Sequence, residues 1–246
     1  MTLLSVENVS RSFGSLVAVD NVSMQVEAGE LRAIIGPNGA GKTTFFNLIS
    51  GLFPPTAGRI LLDGRDITGL KPTQRVALGM ARTFQITSLF PKLTVLDNVL
   101  LGIEGLRKSK FVMWRFMSSY HDAYDKAHHL LEQANFLDRK DVEVRYLSHG
   151  EQRQLEIVLA LTSDPKILLL DEPAAGLSSG ESTEMAEFLL GLDPNLAILL
   201  IEHDMDVVFD VANHISVLHF GEVLETGTTE RIRNSAKVQE IYLGTG

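Results

Sequence analysis

The first part of the chain alternates between apolar and polar residues. Residues 2–35 follow the two-residue period of half-buried strands, most clearly over Val22–Glu27. A second strand pair is predicted at Arg59–Leu62 and Arg65–Ile67, on either side of an Asp-Gly turn. The pattern therefore predicts antiparallel strands on both sides of the chain's first helix.

The pattern then changes twice. Residues 90–162 are mostly helical in period. One predicted helix face carries Tyr120, Tyr124, Ala127, Leu131 and Ala134, and another helix covers Gln152–Leu161. After Pro165, short and fully apolar strands alternate with helical segments, at Ile167–Leu170, Ala197–Ile201 and Ile215–Leu218. This last alternation predicts a parallel sheet flanked by helices.

A glycine-rich stretch lies between the apolar run Leu31–Ile35 and a predicted helix. It reads Gly36, Pro37, Asn38, Gly39, Ala40, Gly41, Lys42, Thr43 and Thr44, which fits the phosphate-loop pattern G-x-x-x-x-G-K-[ST]. Glycines let the backbone turn its N–H groups towards phosphates, and the helix N-terminus adds a positive dipole end. We expect Lys42 to reach the β- and γ-phosphates and the Thr43 hydroxyl to bind Mg²⁺.

Two adjacent carboxylates, Asp171 and Glu172, end the predicted strand Ile167–Leu170. Acidic residues often close a strand without any further role. Ligands, however, bind open α/β sheets at the carboxyl ends of their strands. Beside a phosphate loop, Asp171 is predicted to hold Mg²⁺ and Glu172 to orient and polarise the attacking water.

A third polar segment, Leu147–Glu151, precedes the helix predicted at Gln152–Leu161. Ser148 with Glu151 forms a capping box, so the segment can be read simply as a well-capped helix start. A Ser148 hydroxyl and a Gly150 N–H at a helix N-terminus also form an anion site. Because the chain already has a phosphate loop, a second anion site makes sense if it completes the site of another subunit.

Composition limits the alternatives. The chain has 246 residues, 45% of them apolar, which is enough to bury a full core. Its net charge of −9 and the absence of a long basic block argue against a nucleic-acid partner. Cysteine is absent, no apolar run reaches the length of a membrane span, and the N-terminus does not resemble a signal peptide. These features suit a cytoplasmic protein, or one held at a membrane by its partners.

The segment Leu147–Glu151 resembles the LSGGQ signature of ABC transporter ATPases, and it stands in that family's order: phosphate loop, signature, Asp-Glu strand. The resemblance implies further roles. Phe13 would stack on adenine, Gln85 would sense Mg²⁺ and touch a membrane partner, and His203 would contact the γ-phosphate. It also implies ATP and Mg²⁺ as cofactors.

The chain departs from the family pattern at two places. His149 and Glu151 replace a Gly and the Gln of the signature, while Ser148 and Gly150, which make the phosphate contacts, are kept. Ser178 stands where the family usually has Asp in the loop after the catalytic Glu, which weakens any inference about that residue's contact across the dimer.

The family's fold is α/β, a P-loop NTPase (RecA-like) core with an antiparallel β subdomain and a helical subdomain. We expect one ABC ATPase domain over residues 1–246. Its core would cover about 1–89 and 163–246, and its helical subdomain about 90–162. Two copies, or this chain and a paralogue, would face head to tail with each ATP between the phosphate loop of one and Ser148 and Gly150 of the other.

Within the family, the chain resembles ATPases of branched-chain amino acid importers, with urea-type importers as close relatives. The matching segments are Thr94–Val99, Asp171–Leu177, Glu202–Val208 and Val238–Gly244. The resemblance implies two integral membrane permease subunits, indirectly an extracytoplasmic solute-binding protein, and a peripheral location at the cytoplasmic face of the inner membrane. A soluble ABC protein of DNA repair or translation, or a scaffold with negligible turnover, is the alternative. The length of a single cassette argues against the first and Glu172 against the second.

Two surfaces carry further expectations. The permease is predicted to dock at Gln85–Asn98, through Leu89, Phe90 and Leu93. The basic and aromatic insertion at residues 104–125 is either an amphipathic helix that covers the core or an edge that touches lipid headgroups or the membrane subunit.

Overall fold

A computed structural model describes residues 1–83, 89–106 and 118–243. The predicted Q-loop residue Gln85, residues 107–117 of the insertion at 104–125, and Gly244 lie outside these described residues. Within them, no helix is long and apolar enough to cross a bilayer.

An antiparallel sheet forms the first layer, as the alternating pattern predicts. Its strands are β1 (Thr2–Phe13), β2 (Leu16–Glu27), β4 (Ala57–Leu62) and β5 (Arg65–Asp66), in the order β2-β1-β4-β5. The strand β5 ends one residue before the predicted Ile67, whose N–H still bonds to the Ile60 carbonyl at 2.9 Å.

A second sheet of predominantly parallel strands forms the centre. Its members are β3 (Leu31–Ile35), β6 (Met80–Arg82), β7 (Ile167–Asp171), β8 (Ala197–Ile201), β9 (His214–His219) and β10 (Glu222–Thr228), in the order β10-β9-β3-β8-β7-β6. Only the pairing of β10 with β9 is antiparallel in this sheet. The central strands β3 and β8 are buried along their whole length, which explains why their sequences do not alternate. The carboxyl ends of β3, β8 and β7 therefore lie side by side at one edge.

The helices are α1 (Lys42–Ser50), α2 (Pro72–Val76), α3 (Val95–Leu106), α4 (Ser118–Gln133), α5 (His149–Leu161), α6 (Ser179–Leu190), α7 (Met205–Val211), α8 (Thr229–Arg233) and α9 (Ala236–Leu243). The face predicted for α4 is correct at Ala127, Leu131 and the adjoining Ala134, which are buried. It is wrong at Tyr124, which is exposed, because Ala123 takes the inward position one residue earlier on the turn.

The core is divided by the central sheet. On one face, α1 and the antiparallel sheet pack together through residues such as Phe45, Phe46 and Leu4. On the other face, α3 to α7 cover the sheet through residues such as Leu131, Leu155 and Met185. The helix α1, which begins in the phosphate loop, is therefore held between the two sheets.

Arg75 fixes the far end of α1. Its guanidinium is almost fully buried and donates hydrogen bonds to the carbonyls of Leu48 and Ile49 in the last turn of α1. It also donates to the carbonyls of Leu70 and Thr68, both at 3.0 Å. Burial lowers the pKa of Arg75 to about 10, which leaves it protonated at neutral pH. The cation thus occupies the negative end of the α1 dipole, where it donates to the Ile49 carbonyl and, beside the Gly51 N–H, to the Leu48 carbonyl.

Replacing Arg75 by Met is expected to lower the free energy of unfolding by about 3 kcal/mol, because buried carbonyls at the end of α1 lose their donors. Urea denaturation followed by circular dichroism measures this. The matched control is Arg65→Met, at an exposed position of β5, which should change stability by less than about 0.5 kcal/mol. Equal midpoints for the two variants would contradict the assigned role of Arg75.

Candidate nucleotide-binding site

The phosphate loop (residues 36–44) leaves the carboxyl end of β3 and runs into α1, as predicted. Gly41 caps the helix with φ of 96°, and a Cβ there would lie 2.4 Å from the Ala18 carbonyl oxygen. A Cβ on Gly36, whose φ is 154°, would lie 2.2 Å from the Leu218 carbonyl oxygen. Both contacts are with backbone, so no side chain can move aside to admit a larger residue. The loop is therefore a cradle that only glycine can build at these two positions.

Lys42 lies inside this cradle. Its ammonium group donates to the carbonyl oxygens of Gly36 at 2.6 Å and Pro37 at 3.0 Å. Burial lowers the pKa of Lys42, and the nearby Glu172 carboxylate opposes that shift. The first residues of α1 add N–H groups that have no helical acceptor. The arrangement suits an anion that bonds to the loop N–H groups and to Lys42.

A cavity of about 500 Å³ opens above the loop. Its lining consists of Leu16, Val17, Ala18, residues 38–44, Glu172, Phe220 and Gly221. The aromatic ring of Phe220, which is 82% exposed, stands at its edge on the turn between β9 and β10. Sequence analysis missed Phe220, because nothing in the residues around it indicates that the turn between β9 and β10 lies beside the phosphate loop.

Phe13, the residue predicted to stack on adenine, ends β1 and is not among the residues that line this cavity. Its ring packs edge-to-face on Phe53, with centroids 5.8 Å apart, and the Arg11 guanidinium lies 4.8 Å from its centroid. Its role towards adenine remains a prediction.

Asp171 closes β7 and its carboxylate is only 3% exposed. Arg82, at the end of β6, donates to Asp171 Oδ2 at 2.9 Å. The same guanidinium donates to Asn47 Oδ1 at 2.6 Å and Ser50 Oγ at 2.8 Å on α1. Burial raises the pKa of Asp171, while Arg82 lowers it and Glu172 raises it further. Arg82 was missed by sequence analysis, because only the fold brings β6 next to β7 and α1.

The residues predicted to hold Mg²⁺ offer oxygen donors of the kind that this ion prefers. Thr43 presents its hydroxyl at the exposed first turn of α1, and Asp171 has one carboxylate oxygen bonded to Arg82. Within residues 1–83, 89–106 and 118–243, no group of three or more His, Cys, Asp or Glu could hold a metal ion. Such a sparse donor set fits Mg²⁺, which keeps several waters and is bound chiefly by phosphates with one or two protein oxygens.

Glu172 follows directly and has a backbone φ of 50°, which is uncommon for a residue with a side chain. Its N–H donates to the Ile201 carbonyl of β8 at 2.9 Å, so the neighbouring strand holds the strained conformation. The turn brings its partly exposed carboxylate into the cavity lining. Strain of this kind is concentrated at functional sites.

His203 follows β8, and its Nδ1 lies 3.7 Å from Glu172 Oε1. The structure thus brings together the predicted water-activating residue and the predicted switch histidine. Glu202, the residue before His203, is a carboxylate with 0% exposure that sequence analysis missed, and its Oε2 lies 3.4 Å from His203 Nδ1. It accepts hydrogen bonds from the N–H groups of Ala174 at 2.9 Å and His203 at 2.8 Å. Glu202 therefore ties the loop after Glu172 to the loop that carries His203.

The signature segment (Leu147–Glu151) begins α5 away from this cavity, and neither Ser148 nor Gly150 lines it. The predicted capping box is confirmed: Glu151 N–H donates to Ser148 Oγ at 3.2 Å, and Ser148 N–H donates to Glu151 Oε2 at 2.7 Å. The Gly150 N–H donates to Glu181 Oε1 on α6 at 3.1 Å. The predicted anion site at the start of α5 therefore lies apart from the phosphate-loop cavity, and its role towards a second subunit remains a prediction.

Comparison with known proteins agrees with this geometry. The family model described as ABC transporter matches residues 19–175. The high-affinity branched-chain amino acid transport ATP-binding protein LivG of Escherichia coli K12 is 40% identical over 249 residues, which cover 98% of each chain.

Solved structures give the same result. The ADP conformation of MJ1267, an ATP-binding cassette of an ABC transporter, matches with a TM-score of 0.88 and 31% identity over 100% of both chains. The dimeric post-hydrolysis state of the cassette MJ0796, bound to ADP and Pi, matches with a TM-score of 0.72 and 26% identity over 92% of this chain and 99% of that one. This chain belongs to the ABC transporter family and is an ATPase of that family.

Proposed function

We propose that this chain is the ATP-binding and ATP-hydrolysing subunit of an importer for branched-chain or related amino acids. The observation that carries the proposal is the 40% identity to the LivG protein over 98% of each chain. An importer of the urea or amide type is the alternative, and a soluble ABC ATPase without a transport role is a weaker one. The site geometry supports the chemistry that all three share.

In the proposed mechanism, the phosphate loop and Lys42 bind the phosphates of ATP. Thr43, Asp171 and Gln85 would hold Mg²⁺, which would supply positive charge beside the β- and γ-phosphates. Glu172, whose strained turn aims its carboxylate into the cavity, orients the attacking water and polarises it. His203, close to Glu172 and largely exposed, contacts the γ-phosphate. Glu202 accepts a hydrogen bond from each of these two loops and so fixes the position of one relative to the other.

A second subunit, either another copy or a paralogue, completes each site. Ser148 and Gly150 of one subunit face the ATP held by the phosphate loop of the other. The dimeric structure of the cassette MJ0796 supports such an assembly. Bound ATP favours the closed dimer and hydrolysis removes that preference, which converts ATP turnover into a conformational change in two membrane permease subunits. An extracytoplasmic solute-binding protein delivers the solute to them, and the ATPase works at the cytoplasmic face of the membrane.

The permease docks at the loop that carries Phe90. The Phe90 ring is 55% exposed, although its backbone is fixed by Asn98, whose amide accepts from Phe90 N–H at 2.8 Å and donates to Phe90 O at 3.1 Å. Leu89, predicted as a second apolar contact, is buried in the core and is not part of an exposed surface. The N–H of Val144 donates to the Leu93 carbonyl at 3.0 Å, which connects this loop to the residues just before the signature segment.

Replacing Glu172 by Gln is expected to lower the ATPase turnover of the assembled protein about 10²–10⁴-fold while ATP binding is kept, because the amide cannot polarise water. Replacing Lys42 by Ala should mainly weaken ATP binding. Phosphate release and fluorescent-nucleotide titration measure the two effects. Glu132→Gln, at an exposed position of α4, is the matched control with unchanged turnover. Equal hydrolysis by wild type and Glu172→Gln would remove Glu172 from the mechanism.

Assembly is tested on the Glu172→Gln variant, which holds ATP without turnover. Sedimentation velocity should show a shift from monomer to dimer with ATP and Mg²⁺, and no shift with ADP. Adding Ser148→Ala should weaken the dimer, since one contact to each γ-phosphate is lost. A monomer under every nucleotide condition, with the paralogue and the membrane subunits present, would rule out the shared site.

The transport role is tested with Phe90→Asp, which should leave ATP binding nearly intact but reduce uptake, because a charge replaces the apolar docking contact. Leu190→Asp, on an exposed apolar residue of α6, is the control. Uptake of labelled leucine, and separately of urea, is measured in a deletion strain that carries each allele. Unchanged uptake of both solutes in the deletion strain, with no paralogue expressed, would exclude importers for these solutes.

A further inference from the structure

Glu181, on the first turn of α6, lies against the start of α5. Its Oε1 accepts the Gly150 N–H at 3.1 Å. A Cβ built on Gly150 would lie 3.2 Å from the Cβ, Cγ and Oε1 atoms of Glu181, so the carboxylate side chain covers this glycine. The N–H that the proposed function assigns to a neighbouring subunit's γ-phosphate is therefore already bonded within the chain.

Ser178 holds this carboxylate in place. Its N–H donates to Glu181 Oε2 at 3.0 Å and its hydroxyl donates to the same oxygen at 2.8 Å. These two donors, followed by the Gly150 N–H, lower the pKa of Glu181 to about 2, so the carboxylate stays charged at neutral pH. An Asp at position 178 could not donate a hydroxyl hydrogen and would place a like charge beside Glu181. The family usually has Asp at position 178. The serine found here stabilises the Glu181 carboxylate, which an Asp would repel.

A carboxylate and a phosphate cannot share the Gly150 N–H. Each is an anion that accepts from a helix N-terminus, and two anions at one donor repel each other. We propose that Glu181 competes with the neighbouring subunit's ATP for the signature segment, and that the carboxylate must leave Gly150 before the dimer closes. This inference rests on the proposed function. The hydrogen bonds from Ser178 and Gly150 to Glu181 then form an autoinhibitory contact, or latch, that favours the open state over the closed dimer.

The first test compares Glu181→Gln with Glu187→Gln, each in the Glu172→Gln background with ATP and Mg²⁺. Glu187 lies exposed on the same helix, so both variants lose one negative charge from α6. Sedimentation velocity over a concentration series gives the dimer dissociation constant. We expect Glu181→Gln to lower that constant about tenfold or more relative to Glu187→Gln, because two latches per dimer are weakened. Equal constants for the two variants would overturn the latch while leaving the proposed function intact.

The second test uses Ser178→Asp and Ser178→Asn, which have the same shape and can both cap α6. Asn can still donate a hydrogen bond to Glu181, whereas Asp cannot and repels it. The Asp variant should therefore form the tighter ATP-dependent dimer and the Asn variant should resemble the Ser178 parent. The opposite order would count against the latch.

A measurement on the monomer distinguishes loss of the Glu181–Gly150 contact from misfolding of a variant. Amide hydrogen exchange of Gly150, followed by NMR in the absence of nucleotide, should become faster in Glu181→Ala and stay unchanged in Glu187→Ala. Equal exchange rates would show that the Glu181 contact does not protect Gly150, and the proposal would fail. If the Glu172→Gln parent forms no dimer even with its membrane subunits, the latch and the proposed function both fail.

Discussion

The geometry of the nucleotide site depends on one buried guanidinium. Arg82 is bonded to Asp171 at the end of β7 and to Asn47 and Ser50 on α1, so a single planar cation fixes the distance between the phosphate-loop helix and the acidic strand. Removing one partner of a buried pair costs about 3–5 kcal/mol, since the other charge is left in a poorly solvated place. The Phe46 ring, 4.9 Å from the guanidinium carbon, closes the remaining side. The proposed Mg²⁺ site at Thr43 and Asp171 depends on this distance.

Around Arg82, the predicted catalytic residues Glu172 and His203 are carried by loops that are held by neighbouring strands. The strained turn of Glu172 is bonded to β8, and the loop that carries His203 is bonded to the fully buried Glu202. Buried carboxylates are tolerated only when hydrogen-bond donors surround them, and here the donors are backbone N–H groups of the two loops themselves. The same bonds that satisfy Glu202 therefore set the spacing of Glu172 and His203.

The sequence is most informative where the chemistry is local. The phosphate loop, the capping box at Ser148 and the apolar strands are contiguous in the chain, and the structure has each where the pattern predicts it. Contacts between residues far apart in the chain could not be read in this way. Arg82 meets Asp171 across 89 positions and Gly150 meets Glu181 across 31, and no local pattern encodes such a pairing. The error at Tyr124 has a different cause. The helical period locates the buried face of a helix only to within about one residue, and here Ala123 is buried instead of Tyr124.

The two sheets are joined at the phosphate loop by hydrogen bonds between backbone groups. Asp20 N–H donates to the Gly221 carbonyl at 2.8 Å, and Gly221 N–H donates to the Ala40 carbonyl at 3.0 Å. Together with the close approach of Gly41 to Ala18, these bonds make a backbone junction between the two sheets. Its hydrogen bonds join backbone groups, so they do not depend on particular side-chain donors or acceptors. The antiparallel sheet therefore supports the phosphate loop from behind. A movement of the loop on binding phosphate would pass to that sheet through these hydrogen bonds.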